Sequence, residues 1–108
     1  MVRLFMNLFS DEYQTIHHEN GILAFEELMQ NELPHLILSN LFMPEMNGLR
    51  FLKQLKTLQS TQHIPLIMHS MSNKPFDKIQ CLSHGAAVFL NLPLQPEQLL
   101  FEVRSHMK

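Results

Sequence analysis

Cysteine is nearly missing. Cys81 stands alone among 108 residues, so no internal disulfide can form, and a reducing, cytoplasmic setting is the expectation. A lone thiol of this kind reads as a small buried or half-buried residue rather than a nucleophile. No apolar run approaches the roughly 18–20 residues of a membrane helix. No charged leader with an apolar core and a small-residue cleavage site opens the chain, so neither membrane insertion nor secretion is expected. Lys/Arg runs are absent, and a net charge of −2 gives no electrostatic footprint for direct nucleic-acid contact. Internal repeats and low-complexity segments are missing too. The remainder, 45% hydrophobic, is one ordinary soluble domain over residues 1–108.

Metal and triad chemistry find little support. His17 and His18 are adjacent on an expected strand and point to opposite faces. His35, His63, His69, His84 and His106 are scattered singly. No acid at a telling spacing supports His69-Ser70 as a triad. We expect no metal, no cofactor and no enzymatic activity.

The organising stretch is Pro34–Gly48, PHLILSNLFMPEMNG. Leu36, Ile37 and Leu38 are apolar on both faces and too few for a helix, so they read as a central parallel strand covered by helices. It ends at Ser39-Asn40, and residues at the carboxyl end of such a strand face the site crevice. Asn47-Gly48 then opens an amphipathic segment.

Around this core, strands are expected at about residues 13–18, 35–40, 64–69 and 86–90. A helix is expected over 22–31, with Ala24 and Leu28 inward. After Gly48, Leu49, Phe51, Leu52 and Leu55 recur at helical spacing. Pro75 opens a helix whose inner face is Phe76, Ile79 and Leu82, stopping at Gly85. Pro96 opens the last helix, with Leu99, Leu100, Val103 and Met107 inward. Strands alternating with helices imply a three-layer α/β architecture: a parallel sheet with helices on both faces and right-handed crossovers. Met1–Glu12 is ambiguous. As a helix it places Val2, Phe5 and Phe9 in one stripe; as a strand both faces are partly apolar. We favour the helix.

Residues 34–48 resemble the centre of a bacterial response-regulator receiver domain, in which an apolar strand ends at the phosphorylated aspartate and a Met-Pro-x-Met-x-Gly loop follows. Met43, Pro44, Glu45, Met46, Asn47 and Gly48 match that loop, but an amide, Asn40, occupies the phosphoacceptor place. The resemblance implies a flavodoxin-like receiver fold of strand order 2-1-3-4-5. It also puts Ser70 in the Ser/Thr place, Phe89 at the switch aromatic, and Leu92-Pro93 in place of a Lys-Pro pair that is usually cis. The family's first strand ends in a Mg²⁺-binding acidic pair. Here the sole acidic pair before Tyr13 is Asp11-Glu12, so the first strand and the metal site are expected to be missing and the domain N-terminally truncated.

With carboxylate, metal ligands and lysine all replaced, the resemblance implies a degenerate receiver in two-component-type signalling. It would take no phosphoryl group and would act as a protein-interaction module. The alternative is a receiver-like domain binding a small anion or ligand near Asn40 and Ser70 without phosphoryl transfer. The implied partner face includes Lys78, Gln80, Cys81, His84, Phe89, Gln98, Phe101 and Glu102, and the implied partner is a signalling protein. A missing first strand would leave Leu36–Leu38 with an unpaired edge, so a homo-oligomer using Met1–Phe9 is also expected.

Overall fold

The computed structural model describes residues 1–8, 12–43 and 46–107. Its elements in chain order are β1 (Val2–Leu8), β2 (Glu12–His18), α1 (Gly21–Gln30), β3 (Leu36–Asn40), α2 (Gly48–Thr57), β4 (Leu66–Ser70), α3 (Pro75–Ser83), β5 (Val88–Asn91) and α4 (Pro96–His106). The five strands form one sheet in the order β2-β1-β3-β4-β5.

The N-terminal segment corrects two expectations. Val2–Leu8 is a strand rather than a helix, and it fills the place between β2 and β3 that was expected to be empty. It does so upside down. β1 runs antiparallel to β2, with Val2 opposite His18, and antiparallel to β3, with Val2 opposite Ser39 and Phe5 opposite Leu36. The β3–β4 and β4–β5 pairs are parallel, so the sheet is mixed rather than wholly parallel. Residues 9–11 join β1 to β2, leaving no room for a crossover helix; Phe9, Ser10 and Asp11 lie outside the described residues. A short connection of this kind suits a hairpin and cannot return a parallel strand. The edge of β3 is therefore paired within one chain, which removes that motive for exchanging elements between copies.

Amphipathic patterning fixes the layers. Val2, Leu4, Ile37, Leu66 and Met68 point to the face covered by α1, α2 and α3, where they meet Ala24, Leu28, Phe51, Leu52, Leu55 and Cys81. Phe5, Leu36, Leu38 and Ile67 point to the other face and pack on Val103 of α4 and on Met107, which follows it. Full burial of each such side chain contributes about 1.5–3 kcal/mol. Asn20 caps α1 by accepting from the Leu23 N–H, and Asn47 caps α2 by accepting from the Arg50 N–H, both at 2.9 Å.

Two helices differ from the periodicity. On α3, Phe76, Ile79 and Leu82 are exposed (67%, 61% and 42%), and Cys81, fully buried, is the residue that enters the core. On α4, Leu100 turns outward while Leu99 is half-buried and Val103 and Met107 are buried. Apolar spacing specifies a stripe but not which side of a short helix the sheet takes.

Candidate functional site

The carboxyl ends of β3, β4 and β5 lie side by side, with Asn40 opposite His69 and Ser70 opposite Asn91. The Asn40 N–H donates to the Met1 carbonyl at 2.9 Å, and the Leu41 N–H donates to the His69 carbonyl at 2.9 Å. Gly48 closes the loop after β3, its N–H donating to the Leu41 carbonyl at 2.7 Å. Met43 and Met46 of that loop are buried against the core; Pro44 and Glu45 lie outside the described residues. The sequence motif thus works here as packing: two methionines anchor the loop, and glycine lets α2 start hard against the backbone of Asn40.

Ser70 is fully buried, and its hydroxyl oxygen accepts from the Ser72 N–H at 2.9 Å. Ser72 in turn donates from its hydroxyl to Asp77 and accepts from the Lys74 N–H, and the Asn91 amide donates to the Ser72 carbonyl. The β4–α3 connection is therefore a local hydrogen-bonded unit. Leu92 follows β5 with its N–H donating to the Ser70 carbonyl at 2.8 Å, and the Leu92–Pro93 bond is cis. Phe89 is buried in the core between β4 and the helices.

The reversed β1 decides what stands next to Asn40. An upright strand would bring its last residues here, whereas this one brings its first: Met1, Val2 and Arg3. Glu12 starts β2 opposite Leu8, at the far end of the sheet, and Asp11 lies outside the described residues. Glu19 is the carboxylate that acts on the Met1 amino group, raising it against the larger lowering by burial. Among the described residues no three His, Cys, Asp or Glu side chains come together as a metal site. Mg²⁺ demands hard oxygen ligands, usually carboxylates plus water. Among the described residues, an amide at Asn40, the single carboxylate of Glu19 beside Met1 and the cationic Arg3 do not fit that requirement.

The local field is positive and the walls are apolar. Burial holds the His69 imidazole down to about 4, with the Met1 amino group and Arg3 pushing it the same way. The unfolded chain therefore takes a proton at this position first as pH falls. The contribution of neutral His69 is full above its ordinary value of 6.5 and lost between there and about 4. Allowing for partial solvation, the loss is on the order of 2 kcal/mol. Urea midpoints measured from pH 7 to 4 should fall more steeply in the wild type than in His69→Leu; parallel curves would contradict a buried neutral imidazole.

Asn40, Ser70 and Leu92 lie at one end of the sheet, whereas Phe89, within β5 opposite Met68, and Cys81 are buried in the core rather than on the expected contact face. Arg3, Met1 and Glu19 were not legible as site residues, because only the direction of β1 brings them there.

The family model for response regulator receiver domains matches residues 1–104. The chain is 33% identical over 90 residues to the two-component response regulator ORR3 of Oryza sativa, covering 83% of this chain and 69% of that protein. It is 30% identical over 105 residues to histidine kinase P4 of Formosa agariphila, spanning 96% of this chain but 8% of the kinase. The receiver domain of a signal transduction histidine kinase from Syntrophus aciditrophicus superposes with a TM-score of 0.78 at 33% identity, over 86% of this chain and 70% of that one. The chemotaxis protein CheY4 of Vibrio cholerae gives 0.73 at 25% identity, over 82% and 72%.

Proposed function

Because the chain belongs to the response regulator receiver domain family, we propose that it is a degenerate receiver of two-component signalling that accepts no phosphoryl group and acts through protein contacts. The observation that carries this reading is Asn40, an amide at the carboxyl end of β3 where the family presents its phosphorylated aspartate. Leu92 supplies no cation to phosphoryl oxygens, and the reversed β1 brings Arg3 where metal-binding acids would be needed. Nucleophile, metal and counter-charge are thus all replaced, and catalysis of phosphoryl transfer is largely positioning and charge stabilisation. On this reading the domain is not an enzyme, holds no cofactor, and works in the cytoplasm without nucleic acid or membrane. Intact-mass measurement after incubation with acetyl phosphate tests it.

The contact face is formed by α3, β5 and α4. Ile79, Phe76 and Lys78 are exposed on α3, with Gln80 and His84 half-buried; Phe101 is 68% exposed on α4 beside Gln98 and Glu102. Exposed aromatics and aliphatics beside polar groups, here on the two helices that flank the edge strand β5, are the residue types of interaction surfaces. A second copy of the chain is the partner we assign to this face, alongside an upstream or downstream signalling protein. Light scattering over a concentration series should show association that an Ile79→Asp/Phe101→Asp double variant abolishes without lowering the thermal midpoint. A wild type monomeric at high micromolar concentration would refute the homo-oligomer.

A second reading draws on the positive field at this end of the sheet: an inorganic anion held near Asn40 and Ser70 without covalent chemistry. Saturable amide shifts at these two residues on adding phosphate would favour it.

A further inference from the structure

With residues 9–11 alone between β1 and β2, α4 is, among the described residues, the helix that packs on its side of the sheet. Beside it is a cavity of about 290 Å³, lined by Leu38, Leu92, Leu94 and Leu99, with Arg3, His69 and Met1, which bears the terminal amino group, as its charged or titratable walls. Asn40 and Ser70 do not line it, but Met1, Arg3, His69 and Leu92 do, so it adjoins the degenerate phosphorylation site on the α4 side of the sheet.

Two features distinguish this cavity from a packing gap. His69 is 8% exposed, and its Nδ1 is buried with no hydrogen-bond partner among the described residues. An unpaired buried polar atom is costly, and native structures rarely leave one without a protein or ligand partner. Arg3 is exposed at the cavity, and its guanidinium makes no ion pair or hydrogen bond among the described residues. Four leucines meanwhile call for an apolar body. A cavity of about 150 Å³ holds a benzene-sized group, so this one accepts roughly ten non-hydrogen atoms.

We propose that this cavity binds a small monocarboxylate with an aryl-alkyl body. The body lies against Leu38, Leu92, Leu94 and Leu99. The carboxylate takes the Arg3 guanidinium, whose planar fork matches two oxygens, and a neutral His69 ring N–H. The first turn of α4, at Gln95 and Pro96, also lines the cavity and adds the positive end of a helix dipole. A phosphate or sulfate alone satisfies the polar wall but leaves the leucines bare, and a hydrocarbon alone leaves His69 unpaired.

The test uses 3-phenylpropionate and its alcohol, 3-phenylpropanol, titrated into the full chain and followed by amide shifts. The acid should saturate, with shifts centred on Leu38, His69, Leu92 and Leu94, and should bind about tenfold or more tighter than the alcohol. Arg3→Ala, a surface change, should remove most of that difference. Leu94→Trp, which fills the cavity, should abolish binding while the thermal midpoint holds. Equal binding of acid and alcohol, a response centred on Asn40 and Ser70, or no saturation up to the solubility limit would each overturn the assignment. None of these outcomes bears on whether Asn40 is phosphorylated.

Discussion

Gly48→Ala should leave little folded protein. A Cβ at this position would lie 2.4 Å from the Asn40 carbonyl oxygen, 2.8 Å from the Met68 sulfur and 2.9 Å from the Leu41 Cα. The methionine could swing aside, but the other two atoms are backbone at the end of a central strand. Moving them would break the Leu41–His69 hydrogen bond and the tie from the Gly48 N–H to the Leu41 carbonyl. Alanine favours a helix over glycine by about 1 kcal/mol, which does not offset overlap with fixed backbone. A net loss of about 5 kcal/mol or more is expected, comparable with the whole stability of a small domain. Urea unfolding measures it, and an unchanged midpoint would show that α2 does not start against β3 as described.

Leu4→Asp should be nearly as damaging. Leu4 is 1% exposed and lies mid-strand, opposite Ile16 on one side and Ile37 on the other. Its side chain packs in the core shared with α1 and α2. Aspartate there loses the apolar contacts and leaves a carboxylate without a partner, a combined cost of about 4 kcal/mol. Arg3→Ala, one residue away and exposed, should change stability by less than about 0.5 kcal/mol. This alternation is the signature of a strand with one outward position. Equal tolerance at both sites would instead indicate that Val2–Leu8 is not held in the sheet.

The strands that carry the site were legible because β3, β4 and β5 are short apolar runs bounded by turn residues, too short for helices and set between helical patterns. The first strand was not. Apolar residues occur on both faces of Val2–Leu8, so an alternating and a helical pattern fit almost equally. What decides between them is non-local: the gap between β2 and β3 requires a paired strand, and the short link to β2 requires that strand to run antiparallel. The site was legible wherever it depends on the end of β3, as at Asn40, and on the motif that follows. It was illegible wherever it depends on strand direction, which substitutes Met1 and Arg3 for an acidic end. The outward turn of Phe76, Ile79 and Leu82 was likewise hidden, because apolar spacing alone does not say which side of α3 faces the sheet.

The central claim is that this receiver fold accepts no phosphoryl group, and intact-mass measurement after acetyl phosphate and Mg²⁺ treatment at neutral pH tests it most directly. Wild type and Asn40→Asp should be measured together. Restoring the carboxylate alone supplies neither the metal ligands nor the cation missing at Leu92, so both proteins should keep their unmodified mass. A stoichiometric phosphoryl adduct on the wild-type chain would contradict the account.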